Sequence, residues 1–130
     1  MVSIVICTYN RQEYLPKCLG HLKAQNCDPK AYEIVLINNN STDSTDVICN
    51  DFIAANSSLN VSYYIESNPG LSFARNRGIN EAKGDIICFI DDDGFAIPEY
   101  VNIISDYSKK MEFSNYMAFG GKVIPCYNEG

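Results

Sequence analysis

Apolar and polar positions alternate along this chain in blocks of two periodicities. Val2–Cys7 (VSIVIC) is a β-rich apolar run that breaks at Thr8-Tyr9-Asn10-Arg11. From Tyr14 onward Leu15, Cys18, Leu19 and Leu22 fall at the i, i+3, i+4, i+7 spacing of an amphipathic helix, and His21, off that stripe, is expected to be solvated. Glu33–Ile37 (EIVLI) reads as a second strand, ending in Asn38-Asn39-Asn40-Ser41-Thr42-Asp43, whose Ser and Thr are natural N-caps for a helix through roughly Ala55. Val61–Ile65 predicts a third strand, followed by the turn sequence Asn68-Pro69-Gly70. A helix from about Ser72 to Lys83 presents Ala74, Gly78, Ile79 and Ala82 as a small-residue face, with Gly84 as its C′ residue. Asp85–Ile90 (DIICFI) is apolar across five consecutive positions, as in a strand covered on both faces, and ends in Asp91-Asp92-Asp93. Pro98 suits the first turn of a helix with the stripe Val101, Ile104, Tyr107 and Met111, and Ala118–Ile124 is a last extended piece.

This alternation of strands and helices predicts an α/β fold, a three-layer sandwich with a mostly parallel central sheet. A chain of 130 residues is expected to form one domain. With 46% hydrophobic residues it can fill a core, and Ala54–Asn60, rich in Asn and Ser, is the stretch expected to be loosely held. A net charge of −6 argues against a nucleic-acid partner, which calls for a basic face. Cys7, Cys18, Cys27, Cys49, Cys88 and Cys126 include no C-x-x-C pair, which argues against sulfur-bound metal and for a reducing, cytoplasmic setting. The apolar runs are far shorter than the ~20 residues that span a bilayer, so membrane contact is expected to be peripheral or to come from residues outside this stretch.

In an open parallel sheet the ligand crevice lies outside the carboxyl ends of the strands. Thr8–Arg11, Asn38–Asp43 and Asp91–Asp93 therefore converge on one edge. Three adjacent carboxylates repel one another unless cations or helix N-termini offset them. A divalent cation is the economical answer, and carboxylate with phosphate oxygens suits Mg²⁺ or Mn²⁺; a solvated acidic turn capping the next helix is the alternative. In an extended segment Asp91 and Asp93 point the same way, with Asp92 turned aside or toward a sugar. No G-x-x-x-x-G-K-[ST] and no G-x-G-x-x-G after the first strand are present, which disfavours P-loop and dinucleotide enzymes. What remains is a nucleotide whose base stacks on Tyr9 and bonds Asn39, with a pyrophosphate neutralised by the metal and by Arg75 or Arg77.

VSIVICTYNR (Val2–Arg11), EIVLINNNSTDST (Glu33–Thr45), NPGLSFARNRGINEAKG (Asn68–Gly84) and DIICFIDDDGFAIP (Asp85–Pro98) resemble, in order and spacing, the donor-nucleotide half of family 2 inverting glycosyltransferases. The resemblance covers about residues 2–105 and implies the GT-A nucleotide-diphospho-sugar transferase fold. It implies that Thr8 and Tyr9 contact the base, with Arg11 in the same loop, and that Asn39 occupies a base-contacting position. Asp91-Asp92-Asp93 matches the DXD-type motif, with Asp93 foremost as metal ligand and Asp91 and Asp92 serving ribose, metal-bound water or donor sugar. Arg75 matches an Arg near the donor. The implied reaction moves a sugar from a nucleotide-diphospho-sugar, UDP-linked, to a hydroxyl of a saccharide or lipid-linked acceptor, as in polysaccharide biosynthesis.

Two departures stand out. Asn38 replaces a common Asp and Asn40 a common Gly. Members also continue into acceptor-binding elements that carry the general base, so the base is expected beyond Gly130, the stretch binds donor without completing the reaction, and the face meant for the remaining half invites self-association. The rivals are a nucleotidyltransferase and a non-catalytic binding or assembly module, and the full-length enzyme is expected at the inner face of a membrane.

Overall fold

The computed structural model describes residues 1–110 and 118–125. Its elements are β1 (Val2–Thr8), α1 (Leu15–Lys23), β2 (Tyr32–Asn38), α2 (Thr45–Ala55), β3 (Val61–Ile65), α3 (Leu71–Glu81), β4 (Ile86–Phe89) and α4 (Tyr100–Lys110). The strands form one sheet in the order β3-β2-β1-β4, and every neighbouring pair is parallel. β1 and β2 pair along their whole length, from Val2 opposite Tyr32 to Thr8 opposite Asn38.

Alternation along β1 and β2 sends successive side chains to opposite faces. Val2, Ile4, Ile6, Tyr32, Ile34 and Leu36 join a core with Leu15, Cys18, Leu19 and Leu22 of α1, Cys49 of α2 and Val101 of α4. Val5, Val35 and Ile37 face the other way and pack with Ala74 of α3. These central strands are buried on both faces, which explains their unbroken apolar sequence. The three-layer arrangement is the expected one.

α3 approaches the sheet closely because Gly78 has no side chain: a Cβ there would overlap Val5. Ala74 and Gly78 are buried, whereas Ile79 of the predicted small-residue face is exposed. Gly84 is not the C′ residue of this helix. The helix ends at Glu81, Ala82 is extended, and Gly84 passes so near β1 that a Cβ would lie 2.6 Å from the Met1 carbonyl oxygen. A buried clasp holds it there. The Glu33 carboxylate accepts from the Ser3 hydroxyl and the Lys83 N–H, both at 2.6 Å, and the Gly84 N–H donates to Ser3 Oγ at 2.8 Å. Asp85 N–H then donates to the Met1 carbonyl at 3.0 Å, which starts β4 in register with β1.

Other expectations are corrected. β4 is covered on one face only among the described residues: Cys88 is buried, but Ile87 and Phe89 are 36% and 41% exposed. The N-cap residue of α2, Ser44, makes no side-chain cap bond; Asp43 caps instead, its Oδ1 accepting from the Thr45 N–H at 3.0 Å and the Thr45 hydroxyl at 2.6 Å. Ala54–Asn60 is tied down, since Asn56 Nδ2 donates to the Phe52 carbonyl at 2.7 Å and Leu59 packs on the core. Pro98 lies in the turn before α4. On α4, Val101 is buried and Tyr107 exposed, its ring stacked 6.3 Å from that of Phe119. Met111 and Cys126 lie outside the described residues, and 118–125 adopts no regular strand.

The close approach at Gly78 has a measurable consequence. Gly20→Ala, in α1 with open space around it, should raise stability by roughly 0.5–1 kcal/mol through helix propensity. Gly78→Ala makes the same propensity gain but should lower stability, because overpacking costs typically ~1–3 kcal/mol. Urea midpoints compare the two; equal shifts would contradict the packing described.

Candidate active site at the carboxyl edge of the sheet

Parallel pairing brings the ends of β1, β2 and β4 to one edge, where an open cleft of about 830 Å³ lies between their loops. Thr8, Tyr9, Arg11, Asn39, Asp91, Asp92 and Asp93 all line it. Residues more than eighty positions apart in sequence therefore meet, as the strand-end clusters predict.

The acidic triplet is not extended. The Gly94 N–H donates to the Asp91 carbonyl at 2.8 Å and closes a turn. Asp92 points inward, is 8% exposed, and lies with Oδ1 3.9 Å from Arg11 Nε. Burial pushes its carboxyl above the ordinary range, while the Thr8 hydroxyl and the Arg11 guanidinium partly offset this and Asp93 and Asp91 add to it. Asp91 and Asp93 are exposed at the cleft. The turn is braced on α1: the Cys18 thiol lies 3.6 Å from the Asp91 carbonyl oxygen, and Phe95 stacks on His21 with ring centroids 5.0 Å apart. His21 is thus half-buried against an aromatic ring rather than simply solvated.

Among the described residues no group of three or more His, Cys, Asp or Glu side chains is arranged to hold a metal ion. Two exposed carboxylates on a cleft wall, Asp91 and Asp93, nevertheless fit Mg²⁺ or Mn²⁺, which typically take one or two protein carboxylates and complete their shell with water and substrate phosphates. Arg75 stands beside them, with Nη2 3.9 Å from Asp91 Oδ1 and its guanidinium 5.7 Å from the centre of the Phe89 ring. Arg77 does not join the site. It pairs with Glu81 at 2.8 Å and lies over Tyr64 on the other flank of α3.

Tyr9 is 58% exposed, leaving its ring free to stack. Asn39 is different. Its side chain is already bonded to the Glu66–Gly70 loop, which commits both amide hydrogens and leaves a lone pair of Oδ1 for a base edge. Asn38 is also engaged, donating to Tyr63 Oη at 2.8 Å and accepting from the Ser41 N–H at 2.9 Å. Asn40 has φ +59°, in the left-handed region that Gly and Asn favour, which accounts for Asn where a Gly is common.

Several contributors were not read from the sequence. Asn10 and Gln12 zip the β1 loop to the β2 loop: Asn10 N–H donates to Ser41 Oγ at 2.9 Å, Thr42 N–H to Asn10 Oδ1 at 2.8 Å, and Ser44 N–H to Gln12 Oε1 at 2.9 Å. Both lie in polar runs at strand ends, but their partners are some thirty positions away. Ser67, Pro69 and Gly70 form a further wall, and Cys7 lies at the cleft as well as in its strand.

A parallel sheet with this acidic cleft at its carboxyl edge defines an α/β domain of the GT-A type. The chain belongs to glycosyl transferase family 2, whose sequence profile matches residues 3–119. It is 34% identical over 119 residues to glycosyltransferase GlyA of Streptococcus pneumoniae serotype 4, covering 92% of this chain and 16% of GlyA. It is 35% identical over 92 residues to glycosyltransferase AglE of Haloferax volcanii, covering 71% of this chain and 30% of AglE. The stretch thus spans less than a third of either relative. The fold is shared with Staphylococcus aureus TarS solved with UDP (TM-score 0.77, 23% identity, 84% of this chain and 32% of that one). It is also shared with the mannosyltransferase PcManGT of Pyrobaculum calidifontis, solved with GDP-Man and Mn²⁺ (TM-score 0.75, 22% identity, 79% of this chain and 31% of that one).

Cys7 offers a probe of this electrostatic setting. Burial pushes its thiol up to about 11, Arg75 pulls it down, and Asp91 and Asp92 push it up. Because the thiolate is the reactive form, alkylation of Cys7 at mildly alkaline pH should be slow. Asp91→Asn should speed it and Arg75→Ala should slow it, as peptide mass spectrometry reads directly. Identical rates in both variants would contradict this placement of charge.

Proposed function

We propose that the cleft binds a nucleotide-diphospho-sugar, UDP-linked, as donor for glycosyl transfer. The observation that carries this reading is the convergence of Tyr9, Arg11, Arg75 and two exposed carboxylates, Asp91 and Asp93, on one edge of a family 2 fold. Thr8 and Tyr9 face the base, Tyr9 by stacking its exposed ring. Asp93 and Asp91 hold Mg²⁺ or Mn²⁺, and Arg75 adds positive charge beside them; Asp92, turned in toward Thr8 and Arg11, fixes the turn and lies near the ribose. Bound there, the cation supplies charge neutralisation for the diphosphate leaving group.

Transfer proceeds with inversion to a hydroxyl of a saccharide or lipid-linked acceptor, after a general base removes its proton. Of the acidic residues that follow the triplet, Glu99 and Asp106 do not line the cleft, and Glu112 and Glu129 lie outside the described residues. We place the base outside this stretch, as the family resemblance implies; the relatives are more than three times as long as the part matched here. Family membership favours this reaction over nucleotidyl transfer. No helix among the described residues is long and apolar enough to cross a membrane, in keeping with a peripheral protein, and the free Cys7, Cys18, Cys27, Cys49 and Cys88 suit a reducing, cytoplasmic compartment. The β4 face at Ile87 and Phe89, partly exposed among the described residues, is the surface for the proposed self-association.

Calorimetry with UDP and GDP, each with and without Mn²⁺, tests the donor site. Binding should require the cation and favour UDP, and Asp91→Asn and Asp93→Asn should each weaken it about tenfold or more, ~1.4 kcal/mol. Equal affinity in the presence of a chelator, or no binding at millimolar ligand, would overturn the reading.

A further inference from the structure

The residue at the end of β2 that the resemblance assigns to base contact is committed elsewhere. Asn39 is 8% exposed, and its side-chain nitrogen donates to the carbonyls of Glu66 at 2.9 Å and Asn68 at 2.7 Å. Its side-chain oxygen accepts from the Gly70 N–H at 2.9 Å. A carboxamide has two N–H donors, so both are used. The partners also settle which way the group points: two carbonyl oxygens face one terminal atom and an N–H faces the other, which only the amide orientation given satisfies. The backbone N–H of Asn39 donates to the Thr8 carbonyl at 2.9 Å, locking the residue to the end of β1.

We infer that Asn39 is a positioning residue of the nucleotide cleft: it pins the Glu66–Gly70 loop as one wall and sets the start of α3, and its NH₂ group does not donate to the base. The inference rests on the reading of the cleft as a nucleotide site only for its effect on affinity; the pinning itself stands without a ligand. Gly70, whose N–H is held, has φ +124° and is the N-cap residue of α3. It passes directly into the helix that carries Ala74 to the cleft wall and Arg75 to within 3.9 Å of Asp91. Ser67, Pro69, Gly70 and Leu71 all face the cleft, so a change at Asn39 reaches the ligand through this loop.

The chemistry predicts an unusual response to the isosteric acid. Asn39→Asp keeps the shape but removes both donors and aims a carboxylate oxygen at two carbonyl oxygens. A residue that read a uracil edge would lose little or gain by that change, since a carboxylate accepts the ring N–H well. A residue that pins the loop cannot tolerate it.

Two measurements on the full chain decide the matter. In the ligand-free wild-type chain, the Asn39 side-chain NH₂ protons should exchange with solvent far more slowly than those of exposed Asn40, as NMR resolves. Exchange as fast as that of Asn40 would overturn the pinning whether or not any nucleotide binds, and it requires no variant to fold. In Asn39→Asp, backbone amides of residues 66–71 should lose hydrogen-exchange protection, and affinity for UDP and for GDP with Mn²⁺ should fall by the same factor, about tenfold. An altered ratio of UDP to GDP affinity would show that Asn39 acts on the base itself, and unchanged exchange at residues 66–71 would overturn the pinning. Failure of wild type to bind either nucleotide would sink the proposed function while leaving the exchange result to stand or fall separately.

Discussion

Parallel, fully registered pairing of β1 with β2 is the constraint from which the rest of this structure follows. Seven consecutive residue pairs, from Val2 with Tyr32 to Thr8 with Asn38, align the two strands end to end. Parallel neighbours cannot be joined by a tight turn, so the chain must cross back over the sheet each time, and the crossovers are helices. Every strand then delivers its carboxyl end to the same edge. The site is a consequence of that geometry: Thr8, Asn38 and the Asp91 turn are close because their strands start level.

Starting level needs its own device. The clasp of Glu33, Ser3, Lys83 and Gly84 works at the opposite edge, where β1 and β2 begin and α3 hands over to β4. A carboxylate buried to this degree needs hydrogen-bond donors, and here Oε1 of Glu33, accepting two, fixes where β4 enters the sheet. Gly84 fits under Met1 and Ser3 because it lacks a Cβ. A shift of β4 by one position would turn Cys88 outward and carry the acidic turn away from Arg11. The clasp at one end thus positions the carboxylates at the other.

Much of this was legible in the sequence. Runs such as VSIVIC and EIVLI announce buried central strands, the Leu15–Leu22 stripe announces α1, and three polar clusters at strand ends announce the cleft. What could not be read is where each side chain spends its hydrogen bonds. Asn39 and Asn10 look alike as polar residues in loops, yet one is bonded to the Glu66–Gly70 loop and the other zips two loops together. Between Arg75 and Arg77 sequence spacing could not choose; the helix face did, sending Arg77 to Glu81 and Tyr64. The apolar run of β4 suggested burial on both faces, but apolar sequence records what a strand is built to meet, and the side of Ile87 and Phe89 is uncovered among the described residues. Gly84 reads as a helix stop because Gly commonly is one; its close approach to β1 is tertiary and leaves no local signal.

The central claim is that the carboxyl edge, and no other surface, receives a metal-bound nucleotide. The most direct measurement is paramagnetic line broadening of backbone amide resonances by Mn²⁺ in the presence of UDP. Selective broadening of Thr8, Asn39, Gly70 and Asp91–Gly94, with Lys30, Ser105 and Ser108 at the opposite edge left sharp, is the predicted result. Broadening centred on that opposite edge, or spread evenly over the acidic surface, would contradict the account.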